Sequence, residues 1–242
     1  MTQKEWFADW FDTSYYHTLY QHRSDNEARI FIENLVRLLQ PKAGATALDL
    51  ACGKGRHART LHQLGLQVTG VDLSANSIQA AKQYETTGLH FQTHDMREVF
   101  PETFDYVFNL FTSFGYFDHA SENEKVCDAI ATMLDEQGVL VIDFMNAQKV
   151  IAQLVENEQK TLDGITFHIT REYNGTHIFK HIAFEDKGHA YRFTERVQAL
   201  QLADFESLLH KRFRIMHTFG TFQLDAFHPE TSDRLILIAA KK

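Results

Sequence analysis

The chain has 242 residues, 44% hydrophobic and 23% charged, enough to bury a sizeable core. Its formal net charge of −8 argues against a nucleic-acid partner, because a phosphate backbone demands a concentrated basic surface. No apolar run is long enough to span a bilayer, the start MTQKEWFADWFD lacks a signal-peptide core, and Cys52 and Cys127 offer neither a disulfide framework nor metal spacing, so the chain reads as cytoplasmic and reduced.

The N-terminal stretch is rich in aromatics, with Trp6, Phe7, Trp10, Phe11, Tyr15, Tyr16 and Tyr20 suited to packing or binding. EARIFIENLVRLLQ then places Phe31, Leu35, Leu38 and Leu39 at helical spacing, and Pro41 stops the helix. After Gly44 strands and helices alternate. TALDLA is a strand, RHARTLHQLG a helix closed by Gly65, QVTGVDLS a strand, and ANSIQAAKQYE a helix capped by Ser74. LHFQTHD, FDYVFNLF and VLVIDFMN are further strands, with ENEKVCDAIATMLDEQG as the helix between the last two. This alternation implies right-handed crossovers and a doubly wound, mostly parallel α/β sheet. Beyond residue 160 the rhythm breaks. Turns at Asn174-Gly175 and Asp186-Lys187-Gly188 separate runs of alternating polarity, which predicts a three-stranded antiparallel insertion over residues 161–200. A helix (LADFESLLHKRF), a strand around RIMHTFGTF and a buried last strand in DRLILIAAKK close a single-domain chain. The basic cluster His210-Lys211-Arg212 with Arg214 reads as a solvated face.

In such a sheet, ligands bind at the carboxyl ends of the strands. After the first strand, Gly53, Gly55 and Ala58 fit G-x-G-x-x-[GA], a dinucleotide fingerprint. The second strand ends in Asp72, placed to grip a ribose diol, and the third in Asp95-Met96, suited to an adenine. Asp49 in the first strand is a poor neighbour for a pyrophosphate but a good one for an ammonium or sulfonium. No second domain carries an evident hydride-transfer acid/base pair. S-adenosylmethionine therefore fits better than NAD.

The ordered series LDLACGKGRHA, VTGVDLS, HDMRE, FDYVFNLFTSFGYF and LDEQGVLVIDFMN resembles the motifs of class I S-adenosylmethionine-dependent methyltransferases, of the bacterial small-molecule type. FTERVQALQLADFESLL and GTFQLDAFHPETSDRLILIAAKK extend the resemblance to the chain's end. It implies a seven-stranded Rossmann-like sheet and methyl transfer to a small-molecule acceptor through a nitrogen or oxygen nucleophile. It also implies that Asp49 and the backbone of Ala51, Cys52, Gly53 and Gly55 hold the methionine part of the cofactor. Asp72 would clamp the ribose, with Leu73 beneath the adenine and Asp95 and Met96 contacting it. Asn109, Leu110 and Phe111 would lie near the sulfonium. Residues 1–40 resemble a helical lid in which Tyr16 or Tyr20 shields the cofactor and Arg23 binds its carboxylate; alternatively Arg23 pairs on the surface with Asp25 or Glu27. Departures are Ala51 where glycine or proline is frequent, His57 where a third glycine is common, and Gln137-Gly138 for proline-glycine.

Methyl transfer is an in-line displacement that rests chiefly on alignment. If the acceptor must lose a proton, Tyr116 and His119 near the fourth strand's exit are the candidate catalytic residues, His119 titrating near neutrality. Against that, His119 reads more readily as a loop residue without a role. The pairs His90/His94 and His177/His181 fall on predicted strands, where i,i+4 spacing does not converge two ligands, so no metal is expected. Two alternatives stay open: an NAD(P)-dependent oxidoreductase, and a non-catalytic cofactor-binding protein with the antiparallel insertion as a homodimer surface.

Overall fold

The computed structural model describes residues 6–21 and 25–242. The chain enters through α1 (Trp6–Trp10), α2 (Ser14–Leu19) and α3 (Asp25–Leu39). The α/β run follows in the expected order: β1 (Thr46–Leu50), α4 (Arg56–Gln63), β2 (Gln67–Asp72), α5 (Ala75–Ala81), β3 (Leu89–Thr93), β4 (Phe104–Asn109), α6 (Ala120–Met133) and β5 (Leu134–Met145). This last strand takes up the LDEQG expected to end the helix before it. Ser74 caps α5, its side chain accepting the Ser77 N–H at 3.0 Å.

A short helix α7 (Ala147–Ala152) leads into β6 (Asn157–Leu162), β7 (Ile165–Tyr173), β8 (His177–Asp186) and β9 (His189–Gln198), which form a separate antiparallel sheet in that order. The sequence predicts three of these strands. The additional one, β6, is NEQKTL, an edge strand whose polar residues carry no alternation; main-chain pairing to β7 alone defines it. The tight hairpins pass through Asp163-Gly164 and Lys187-Gly188, each pair with positive φ, as the handedness of two-residue turns requires. The chain closes with α8 (Leu202–Leu209), β10 (Phe213–Phe219) and β11 (Arg234–Lys241).

The large sheet runs β3-β2-β1-β4-β5-β11-β10. Its first five strands are parallel, β11 inserts antiparallel to β5, and β10 pairs antiparallel with β11. Both faces are covered, so alternate residues of one strand enter opposite cores. In β11, Leu235, Leu237 and Ala239 join the core under α6 and α8, while Ile236 and Ile238 join the core under α3 and α4.

A third cluster binds the small sheet to the N-terminal helices. Phe167, Ile169, Ile182 and Phe184 from β7 and β8 pack against Trp10 and Leu19, with Tyr15, Tyr16 and Tyr20 around them. The aromatic stripe is therefore largely packing, and it clamps α1 and α2 over the carboxyl ends of the parallel strands. Replacing Phe184 by Ala is expected to cost about 3 kcal/mol in urea denaturation, the penalty of a large cavity in a buried aromatic cluster.

Candidate active site

The strand order reverses between β1 and β4, and a cavity of about 700 Å3 opens there, beneath α1 and α2. Its first wall is the turn from β1 to α4. Ala51, Gly53 and Gly55 all have positive φ, so the position where glycine is frequent holds an alanine in the left-handed region. A Cβ on Gly53 would meet nothing within 4 Å, whereas one on Gly55 would sit 2.5 Å from the Phe91 ring. Gly53 thus faces open space beside the cavity, and Gly55 is needed for packing rather than for a ligand.

Two acids hold this turn. Asp49 points to the α4 side of the sheet, as strand alternation dictates, and its Oδ2 accepts the Ala58 N–H at 3.0 Å. It is buried behind the cavity wall rather than lining it, contrary to the direct ligand role expected from sequence. Burial pushes its carboxyl up to about 7. Asp72 does line the cavity, and its two oxygens accept the Gly53 and Ser74 N–H groups at 2.8 Å each. Burial raises this carboxyl too, opposed by those N–H bonds.

Leu73, Asp95 and Met96 line the same end, with Leu73 38% exposed. Arg97 grips Asp95 through Nε and Nη2 at 3.0 and 2.6 Å and reaches Glu122 at 2.8 Å. Burial alone would raise Asp95; the Arg97 bonds outweigh it and hold the carboxyl below its usual range. Cys52 also lines the wall, and burial pushes its thiol well above the ordinary range, so it is an inert filler.

Past β4, Leu110, Phe111 and Thr112 line the cavity, but Asn109 does not. Asn109 is fully buried, donating from Nδ2 to the Leu50 carbonyl at 3.1 Å and tying β4 to β1. Tyr16, Tyr20 and Tyr116 reach the cavity, with Tyr116 packed on Phe11 and Trp6. His119 is not brought there. The preceding loop turns Tyr116 and Phe117 inward and leaves His119 exposed as the N-cap of α6, where its backbone N–H donates to Glu122 at 3.4 Å. Arg23 lies outside the described residues.

Sequence reading assigned no ligand role to His17, His57 or His94, which line the cavity, and did not single out Glu195, Arg234 or the Arg59–Tyr84 pair, whose guanidinium stands 3.8 Å above the ring. Burial, aided by Arg56, lowers His57 to about 3, and burial with Lys54 lowers His17 to about 4, so both stay neutral at pH 7. His57 sits within the glycine-turn motif and His94 within HDMRE, but the others had no local motif of their own and are positioned by tertiary contact.

A glycine turn open to the cavity, two acids at successive strand ends and an apolar floor suit an adenosine carrying an amino-acid tail. A family model described as a methyltransferase domain matches residues 41–198. The chain belongs to this methyltransferase family. It is dependent on S-adenosylmethionine, and membership disfavours the nicotinamide alternative. The methyltransferase is 28% identical over 188 residues to a dTDP-3-amino-3,4,6-trideoxy-alpha-D-glucopyranose N,N-dimethyltransferase of Streptomyces venezuelae, covering 73% of this chain and 77% of that one. It is 26% identical over 235 residues to a glycine/sarcosine N-methyltransferase of Aphanothece halophytica, covering 90% and 83%. Its fold matches that of an S-adenosylmethionine-dependent methyltransferase from Clostridium acetobutylicum with a TM-score of 0.77 at 19% identity, over 93% of this chain and 95% of that one.

One segment of the methyltransferase's cavity is strained. Phe111 and Thr112 lie in the left-handed region, at φ of 64° and 61°, where bulky and β-branched residues are disfavoured. A buried acid and an arginine hold them. The Asp143 carboxylate accepts the Phe111 N–H at 2.9 Å, its carbonyl accepts the Thr112 N–H at 2.8 Å, and Arg234 donates to Asp143 at 2.7 Å and to Thr112 Oγ1 at 3.1 Å.

Arg234→Met should cost about 3 kcal/mol in urea denaturation, because Asp143 becomes an unpaired buried charge. Adding Asp143→Asn should recover part of that loss, since the charge is gone and Asn can still accept the Phe111 N–H. Asp49 makes a second prediction. Its folded pKa is raised above the unfolded value, so its contribution to stability is full in acid and is lost as pH rises through about 7. Asp49→Asn, which keeps an acceptor for Ala58, should gain in Tm relative to the parent between pH 5 and pH 8. A difference independent of pH would show that Asp49 does not titrate in that window.

Proposed function

We propose that the protein transfers the methyl group of S-adenosylmethionine to a nitrogen or oxygen nucleophile of a small-molecule acceptor, an amine being favoured. The observation that carries this reading is one continuous cavity lined by Asp72 and Asp95 and also by Tyr116 and Glu195. Its volume of about 700 Å3 is of a size usual for small-molecule sites and leaves room for cofactor and acceptor together. The relatives named above, acting on amino sugars or on glycine and sarcosine, support an amine.

The bound cofactor would supply an electrophilic methyl on a sulfonium. The rest is the work of the chain. Asp72, already fixed by Gly53 and Ser74, keeps lone pairs for the ribose hydroxyls. Leu73 and Met96 offer apolar surface to the adenine, and Asp95 accepts from its exocyclic amine. The backbone from Ala51 to Gly53, with Arg23, takes the amino-acid tail, while Asp49 acts indirectly through the start of α4. Tyr16 and Tyr20 exclude water, and Tyr116 orients the acceptor beside Phe111. Alignment supplies most of the acceleration, and a proton acceptor is needed only when the acceptor must lose a proton. The two buried cysteines suit a reducing, cytoplasmic setting.

Calorimetric titration with S-adenosylhomocysteine should give binding that Asp72→Ala weakens by about tenfold or more, from loss of both the ribose contact and the Gly53 anchor. Unchanged affinity would remove Asp72 from the cofactor site. Labelled cofactor offered with amines, amino sugars and their hydroxyl counterparts would then name the acceptor; label confined to hydroxyl compounds would overturn the amine preference.

A further inference from the structure

The cavity that Asp72 and Asp95 line also takes Glu195 from β9, whose side chain is 17% exposed. Its carboxylate is fixed by neutral donors: Trp10 Nε1 donates to Oε1 at 2.7 Å, and the Tyr20 hydroxyl lies 2.7 and 2.6 Å from the two oxygens. Tyr20 carries one proton and serves one oxygen at a time. Among the described residues Lys180 is the cation paired with Glu195, 3.7 Å from Oε2. It lies 4.3 Å from the Tyr20 ring centroid and makes its short bond, 2.5 Å, to the Tyr20 hydroxyl.

Aromatic rings continue from this carboxylate. Tyr16 is 4.9 Å from Tyr20 between ring centroids, Phe11 is 4.9 Å from Tyr16, and Tyr116 is 5.3 Å from Phe11. If Glu195 were only a staple between the N-terminal helices and β9, a neutral acceptor would serve Trp10 and Tyr20 without the cost of desolvating a charge. A fixed carboxylate beside electron-rich ring faces is instead the chemistry that recognises a cation. We propose that Glu195 is a specificity-determining residue that anchors a positively charged group of the acceptor beside these rings. The inference rests on the small-molecule reading above. The rival occupant is the cofactor's own sulfonium.

The full-length protein loaded with S-adenosylhomocysteine, which carries no sulfonium, separates the two. Choline and its neutral carbon isostere 3,3-dimethylbutan-1-ol are the probes, titrated by calorimetry. Choline should bind about tenfold more tightly than the isostere. Glu195→Gln, which keeps an acceptor for Trp10 and Tyr20, should abolish that preference and leave S-adenosylhomocysteine affinity unchanged. Lys180→Met, which removes the competing ammonium, should strengthen choline binding, and it carries the test if Glu195→Gln does not fold. Equal binding of the two probes by the parent protein overturns the proposal. So does a Glu195→Gln variant that loses affinity for S-adenosylmethionine but not for S-adenosylhomocysteine, since Glu195 would then serve the sulfonium. If the choline preference holds while no acceptor is ever methylated, the catalytic reading fails and the cation site stands.

Discussion

The turn between β1 and α4 is the constraint on which the site depends. Asp49 and Asp72 reach it from different strands and take the N–H groups of Ala58 and Gly53, so the turn is pinned at both ends. The cost is carried by Asp49, a carboxyl buried deeply enough that its charge is disfavoured near neutrality. With the turn held, Ala51 can occupy a left-handed conformation that alanine resists, and the wall keeps its shape before any ligand arrives. Asp72 joins this scaffold to the ligand space, because the same carboxylate that anchors Gly53 also faces the cavity.

The opposite side of the cavity is built by different means. The small antiparallel sheet lies outside the parallel sheet, yet it supplies the hydrophobic face against which α1 and α2 pack, and with it Glu195. Tyr15 donates to Asp186, and Asp12 accepts from Ser74 and Asn76 at the start of α5. The N-terminal segment is thus tied both to the insertion and to the cofactor side of the sheet. Anchored on two elements, the segment covers the space between them.

The parallel sheet was legible because its strands are buried on both faces and its helices carry clear caps and stops, so each element announces itself locally. The glycine turn, Asp72 and Asp95-Met96 were legible for the same reason: the residues at and just after a strand's end are known once the strand is known, and the fold places them at the crevice. Leu73 came from the family resemblance. Edge strand β6 was not, since NEQKTL forms a strand only because β7 offers it backbone partners. His119 illustrates the limit at the site, where nearness in sequence to Tyr116 did not decide which side chain the loop would turn inward.

The sequence by itself determined the order of elements and the acids at or just after the ends of its strands, because periodicity and turn chemistry act over a few residues. Tertiary structure alone decided that Asp49 stands behind the wall, that Asp143 and Arg234, 91 positions apart, hold a strained pair of residues, and that Glu195 meets Trp10 and Tyr20. Those pairings join segments far apart in the chain, and only the packing of the small sheet against the N-terminal helices and of β11 beside β5 brings them within hydrogen-bonding reach.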